Sequence, residues 1–240
     1  MKTSGRAIIS ASLALLITFL TSCHATGQVV ETGIEVMASN NFEILQGKRV
    51  GLVTNPTGVD RNLRSTVDII NSAPGVKLTA LYGPEHGVRG EFTAGEYVES
   101  ETDPGTGLPV YSLYGKTRKP SPDMLNNIDI LVYDIQDIGS RSYTFISTLG
   151  LLMEAAAEKG IPVVVLDRPN PLGGIRMEGA VTRPGFFSFV SQFAIPYLHG
   201  MTVGELAMFL NGEGMLANGT RCDLHVVKMN GWSRKMMFEE

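Results

Sequence analysis

The chain has 240 residues, 43% of them hydrophobic and 18% charged, which is enough to bury one large domain or one domain plus part of another. A formal net charge of −4, with lysine and arginine scattered along the chain, excludes the basic footprint of a nucleic-acid binder and a polybasic membrane patch.

The first residues read as an address. Lys2 and Arg6 precede "AIISASLALLITFL", an apolar run too short for a comfortable transmembrane helix. It ends in "LTSC", which resembles a bacterial lipobox. Residues 1–22 are then a signal peptide and Cys23 the lipidated first residue of an exported protein on the periplasmic side of the envelope; an ordinary secretory signal is the alternative. Cys222 is the other cysteine, so no internal disulfide is expected. Residues 23–45 read as a tether and a first helix at about 34–45.

Strands and helices then alternate. "KRVGLVTN" (48–55) is a strand closed by the turn "NPTG", and "RNLRSTVDIINSA" (61–73) has helical spacing, with Leu63, Val67 and Ile70 on one face. "VKLTALYG" (76–83) is a second strand, followed by a polar insertion (87–107) and the short strand "LPVYSLYG" (108–115). "SPDMLNNI" offers Ser121 as N-cap with Pro122 at the first helical position. "IDILVYD" (128–134) and "IPVVVLD" (161–167) are apolar enough to be buried on both faces. Between them lies a helix with Phe145, Leu149, Leu152, Met153 and Ala156 as its buried stripe and Gly160 as its stop. The expected fold is α/β: a Rossmann-like, open, mostly parallel sheet with helices on both faces over residues 46–212.

In such sheets ligands bind beyond the carboxyl ends of the strands. Four strands end in "TNPTG", "GPEHGVRG", "DIQDIGSRSYT" and "DRPNPLGG", which should bring Asn55, Glu85, His86, Arg89, Asp134, Gln136, Asp137, Arg141, Asp167, Arg168 and Asn170 to one edge. The dinucleotide spacing Gly-x-Gly-x-x-Gly is absent. "GKT" at 115–117 lacks the glycine of a phosphate loop, with Val110 in its place, and there is no Gly-x-Ser-x-Gly elbow, His-Glu-x-x-His or cysteine cluster. No cofactor is implied. A metal held by Glu85, His86, Asp134 and Asp167 is the remaining metal arrangement.

A lining of carboxylates, amides, arginines and tyrosine suits a polyhydroxylated ligand. Cleaving a glycosidic bond needs a proton donor and a second group that stabilises or attacks the sugar cation. Glu85, at the end of a buried strand and flanked by glycines that leave room for a sugar, is the candidate acid; a salt bridge to Arg89 is its structural alternative. His86 is placed to orient Glu85, to bind a sugar hydroxyl or to satisfy a backbone carbonyl, and Glu178 is a candidate second carboxylate. Asp134 and Asp137 are candidate ligands or partners of Arg141, while Glu205 belongs to the capping box Thr202-x-x-Glu205.

"GLVTNPTGVD", "LYGPEHGVRG", "YDIQDIGSRSYT", "LDRPNPLGG", "EG" at 178–179 and "PYLHGMTVGELA" together resemble the exo-acting β-N-acetylmuramidase (NamZ-like) family from about residue 33 to the end. The resemblance implies a Rossmann-like N-terminal domain, a smaller C-terminal domain, and release of N-acetylmuramic acid from the non-reducing end of peptidoglycan fragments. It implies Glu85 as the catalytic residue, with Asp134, Gln136, Asp137, Arg141, Tyr143, Asp167, Asn170 and His199 lining the pocket.

Family members continue beyond "GWSRKMMFEE". Residues 213–240 are therefore expected to begin a truncated second domain, with "CDLHVVKMNGW" as an orphan strand whose removal costs little stability. A non-catalytic sugar-binding lipoprotein and a metal-dependent hydrolase on the same sheet are the competing readings.

Overall fold

The apolar run Ile130–Asp134 sits at the centre of the molecule with every residue buried. It is one of seven strands in the computed structural model, which describes residues 29–90 and 101–239. In chain order these are β1 (Arg49–Thr54), β2 (Lys77–Gly83), β3 (Glu101–Thr102), β4 (Pro109–Ser112), β5 (Ile130–Asp134), β6 (Val163–Leu166) and β7 (Leu224–Val227). Their spatial order is β3-β4-β2-β1-β5-β6-β7; β3 is antiparallel to β4 and the other neighbours are parallel. Setting aside the two-residue β3, this is the strand order of a doubly wound Rossmann-like sheet.

The period-two alternation of each strand feeds two cores at once. Val53, Leu131, Tyr133, Val163 and Val165 pack against α3 (Phe145–Lys159) and α4 (Val203–Gly212) through Leu149, Leu152, Met153, Leu206 and Leu210. Val50, Leu52, Ile130, Val132, Val164 and Leu166 face the other way, toward α1 (Gly33–Ser39) and α2 (Thr66–Asn71), meeting Ile34, Met37, Val67 and Ile70. With both faces covered, an uninterrupted apolar strand is the stable choice. Gly160, at φ 71°, closes α3, and the Thr202–Glu205 capping box opens α4 as expected. No helix among the described residues is long and apolar enough to cross a membrane.

Several expected elements are shorter. The first helix ends at Ser39 and resumes as one 3-10 turn at Glu43–Leu45, because Asn41 and Phe42 both take φ 53°. Leu63 is not on a helix face: it has φ 61° and is 80% exposed. The Asp60 carboxylate accepts the amides of Asn62 and Arg64, each at 2.9 Å, folding 60–64 into a turn, so α2 starts only where Ser65 caps the Asp68 amide. Ser121 does cap the Met124 amide, at 3.4 Å, but a single 3-10 turn, Asp123–Leu125, follows.

The larger correction is at the C-terminus. Residues 224–227 are not the start of a second domain; they form β7, pairing parallel with β6 from Val163↔Leu224 to Leu166↔Val227. The polar edge of a fully buried β6 needs hydrogen-bond partners, and β7 supplies them. Beyond β7 the chain stays on the sheet: Glu31 and Asn230 exchange backbone bonds of 2.9 and 3.0 Å, and the Arg234 guanidinium donates to the carbonyls of Gly174 (3.0 Å) and Gly200 (3.1 Å) while pairing with Glu205. Deleting residues from 222 onward should therefore cost about 2–4 kcal/mol, since Leu224, Val226 and Val227 are each half-buried against the cores and full burial of such a side chain contributes about 1.5–3 kcal/mol. Denaturant titration checks this; an unchanged midpoint would restore the picture of an orphan tail.

Candidate active site

From β1 the chain moves to one side of the sheet (β2, β4) and from β5 to the other (β6, β7), so the loops after β1 and β5 part at the switch point. Hydrogen bonds fix the floor of that opening. The Thr54 hydroxyl donates to the Asp134 carbonyl (2.8 Å), Asn55 Oδ1 accepts the amide (3.0 Å) and hydroxyl (2.5 Å) of Thr57, and Thr57 Oγ1 accepts the Gln136 amide (2.9 Å). Gly58 is required here, because a Cβ would lie 2.1 Å from Thr54 Oγ1 and 2.8 Å from the Asp134 carbonyl oxygen.

The loop after β2 opens with a turn closed by the Gly87 amide on the Pro84 carbonyl (3.0 Å). His86 occupies its third position at φ 75°, where turns of this shape prefer Gly or Asn. Holding a histidine there costs about 1–3 kcal/mol of strain, a cost found mainly where a site demands it. Two of the flanking glycines have a further role in packing the loop. A Cβ on Gly83 would lie 3.1 Å from the Val88 amide nitrogen, and one on Gly90 2.8 Å from Pro56 Cγ. They let the loop fold on itself and on the NPTG turn, and Gly90 at the same time lines the cleft described next. Arg89 pins the same loop, contacting Asp103 (2.5 and 3.1 Å) and Asp68 (3.0 Å) and holding both carboxyls below their ordinary range.

Asn55, Pro56, Thr57, Glu85, His86, Gly90 and residues 142–145 line a cleft of about 620 Å³, the size of a small-molecule site. Of the residues expected at the edge, Asn55, Glu85 and His86 meet here, joined by Tyr143, which the resemblance implied; Glu85 and His86 are half-buried and Tyr143 is exposed. Thr57, Ser142 and Thr144, all within the quoted motifs but not singled out by residue type, join them, as does Phe145, expected only in the buried stripe of α3. Just beyond β4, the Tyr114 phenol has its pKa raised, with the Glu85 carboxyl as the main cause.

The remaining candidates hold the scaffold together. Asp134 is fully buried, bonds Arg168 twice (2.6 and 2.9 Å) and accepts the Thr66 hydroxyl. Asp167 accepts the amides of Gly204 (2.8 Å) and Arg168 (3.0 Å) and the Thr202 hydroxyl (2.9 Å), clamping the start of α4; burial raises its pKa despite these donors. Asp137 Oδ2 accepts the Gly139 amide (2.8 Å) and faces His199 Nε2 (3.1 Å). His199 Nδ1 accepts the Met201 amide (3.3 Å), so Nε2 carries the proton and donates. Among the described residues Asp137 Oδ1 is buried with no hydrogen-bond partner.

Asn170 donates to the Met201 carbonyl (2.9 Å) and Gln136 to that of Pro169 (2.7 Å). Both border a separate, mainly apolar cavity of about 770 Å³, with Val30, Ile138, Trp232, Met236 and Phe238. Arg141 donates to the carbonyls of Ala180 and Ile195 and sits 5.7 Å from the Tyr197 ring. Glu178 is exposed, outside the cleft lining and paired with Arg176 (2.5 and 2.9 Å), which keeps its carboxyl below the ordinary range. That geometry does not make it a second catalytic carboxylate. Among the described residues no three His, Cys, Asp or Glu side chains are grouped as a metal site, since Asp134 is taken by Arg168 and Asp167 by α4.

Comparison with known proteins agrees with this architecture. The family described as "Exo-beta-N-acetylmuramidase NamZ, N-terminal" matches residues 50–240. The peptidoglycan β-N-acetylmuramidase NamZ of Bacillus subtilis (strain 168) is 54% identical over 211 residues, covering 88% of this chain and 50% of its own length. A crystal structure of a DUF1343 family protein from Bacteroides fragilis NCTC 9343 superposes with a TM-score of 0.82 at 63% identity, covering 88% of this chain and 52% of that one. A second from the same organism gives 0.76 at 35% identity, covering 87% and 54%. The chain thus spans about half the length of these relatives, and it belongs to the exo-β-N-acetylmuramidase NamZ family.

Proposed function

We propose that the chain carries the catalytic cleft of a glycosidase that releases N-acetylmuramic acid from the non-reducing end of peptidoglycan fragments. The observation that carries this reading is the placement of Glu85. Asp134, Asp137 and Asp167 are buried in scaffold contacts and Glu178 is paired at the surface, whereas Glu85 lines the cleft beside Asn55, His86 and Tyr143. A half-buried carboxyl on a rigid strand end is suited to hand a proton to a glycosidic oxygen and later take one from water. The Asn55 amide, the His86 ring and the Tyr143 hydroxyl supply the donors and acceptors that sugar hydroxyls require. The B. subtilis relative, named for the same activity on peptidoglycan, supports the substrate class.

The same reading places the protein where peptidoglycan is. Cys23 and the signal-like residues 1–22 lie outside the described residues, but "LTSC" after an apolar run supports export and a lipid anchor on the periplasmic side of the envelope. Cys23→Ala should move the protein from the membrane to the soluble fraction; unchanged fractionation would refute the anchor.

Glu85→Gln keeps shape and hydrogen bonding but cannot cycle a proton. On an aryl β-N-acetylmuramide whose leaving group needs protonation, it should retain binding and lose about 10²–10⁴-fold in kcat. Near-normal turnover would remove Glu85 from the chemistry.

A further inference from the structure

We infer that Asn55 is a specificity-determining residue of this cleft, its side-chain Nδ2 donating to the carbonyl of the 2-acetamido group on the sugar being released; this rests on the hydrolase reading above.

The Asn55 side chain has one committed end, and the fold decides which. Its Oδ1 accepts both the backbone amide (3.0 Å) and the hydroxyl (2.5 Å) of Thr57. A backbone N–H can only donate, so the atom it meets is the oxygen and the amide cannot be turned the other way round. The Thr57 hydroxyl is oriented in turn: its oxygen accepts the Gln136 amide (2.9 Å), which leaves its proton for Asn55. The Asn55 carbonyl accepts the Gly58 amide (2.9 Å), so the backbone is held as well. The loops after β1 and β5 thus fix one half of the side-chain amide and leave the other uncommitted. No described residue accepts from Nδ2. Asn55 is only 5% exposed, Nδ2 is not sealed from solvent, and the residue lines the cleft, so these N–H groups face the space a ligand would fill.

Position selects what they meet. β1 and β2 run parallel with Val53 opposite Tyr82. Continuing that register sets Asn55 level with Pro84, one residue short of Glu85, on strands about 4.8 Å apart. With Glu85 serving the glycosidic oxygen, Asn55 stands beside one neighbour of the anomeric carbon. The ring oxygen is a poor acceptor, because it loses electron density as the glycosidic bond breaks. The other neighbour carries the acetamido group, whose carbonyl oxygen accepts and cannot donate. A neutral amide suits that neutral acceptor; the lactyl carboxylate, one carbon further round the ring, calls for a charged donor. A hydroxyl in place of the acetamido group stops short of Nδ2 and leaves a desolvated donor without a partner, which is how a polar site rejects a close analogue.

Asn55→Asp keeps an oxygen for both Thr57 donors and replaces only the cleft-facing NH2, so the turn should survive. The comparison is made in the Glu85→Gln background, which holds the sugar without cleaving it, by titration calorimetry with methyl β-N-acetylmuramide and with its counterpart bearing a hydroxyl at the same carbon. Adding Asn55→Asp should weaken the acetamido ligand about 10–100-fold more than the hydroxyl ligand. Both ligands feel the new charge, so the difference between them isolates the contact. A merely structural role would weaken the two alike.

A second readout leaves residue 55 unaltered. A crystal of Glu85→Gln with the acetamido ligand should show the acetyl carbonyl oxygen about 3 Å from Asn55 Nδ2. Equal weakening of the two ligands, or an acetyl group turned away from Nδ2, overturns the inference and leaves the hydrolase reading standing. Cleavage of the acetamido ligand by Glu85→Gln, or failure of that variant to bind it, would instead overturn the hydrolase reading, and with it the contact assigned to Asn55.

Discussion

The buried ion pair between Asp134 and Arg168 is the constraint on which the rest of the site depends. It joins the end of β5 to the start of the loop after β6, and Arg168 reaches on to the Val59 carbonyl in the loop after β1 (2.9 Å). Asp134 also holds the Thr66 hydroxyl at the start of α2. Two charges removed from water this completely must keep their partners, because leaving either one alone costs about 3–5 kcal/mol. The loops that part at the switch point are thereby fixed relative to one another, and the cleft forms above a floor that cannot give way.

On that floor the chain tolerates local strain. His86 is held at a backbone angle suited to glycine, and the surrounding contacts enforce it: the Arg89 cluster with Asp68 and Asp103 on one side and the packing of Gly90 on Pro56 on the other. Rigid strands, tight turns and a clamped arginine put Glu85 and His86 at the cleft with little freedom to move. Such preorganisation is what the proposed proton transfer at Glu85 requires.

Much of this was legible in the sequence, and the failures have one physical origin. Strands such as Ile130–Asp134 announce themselves because burial on both faces leaves no polar position. The sheet edge holding Asn55, Glu85 and His86 follows from the strand order, whereas Tyr143 was implied by the family resemblance. Depth does not: Asp134 and Asp167 look like Glu85 in sequence, yet burial forces them into pairs and caps, and Arg89 and Arg141 are likewise taken up by Asp103 and by backbone carbonyls. Register between distant segments is equally silent. Nothing local in "LHVV" shows that it pairs with Val163–Leu166.

The central claim is that the cleft at the ends of β1 and β2 is where the sugar is cleaved. A crystal structure of the Glu85→Gln variant with a β-linked N-acetylmuramide tests it most directly. The account predicts the terminal sugar between Asn55 and Tyr143, with the glycosidic oxygen against residue 85. A sugar seated instead in the apolar cavity beside Trp232, or with its scissile bond turned toward Glu178, would contradict it.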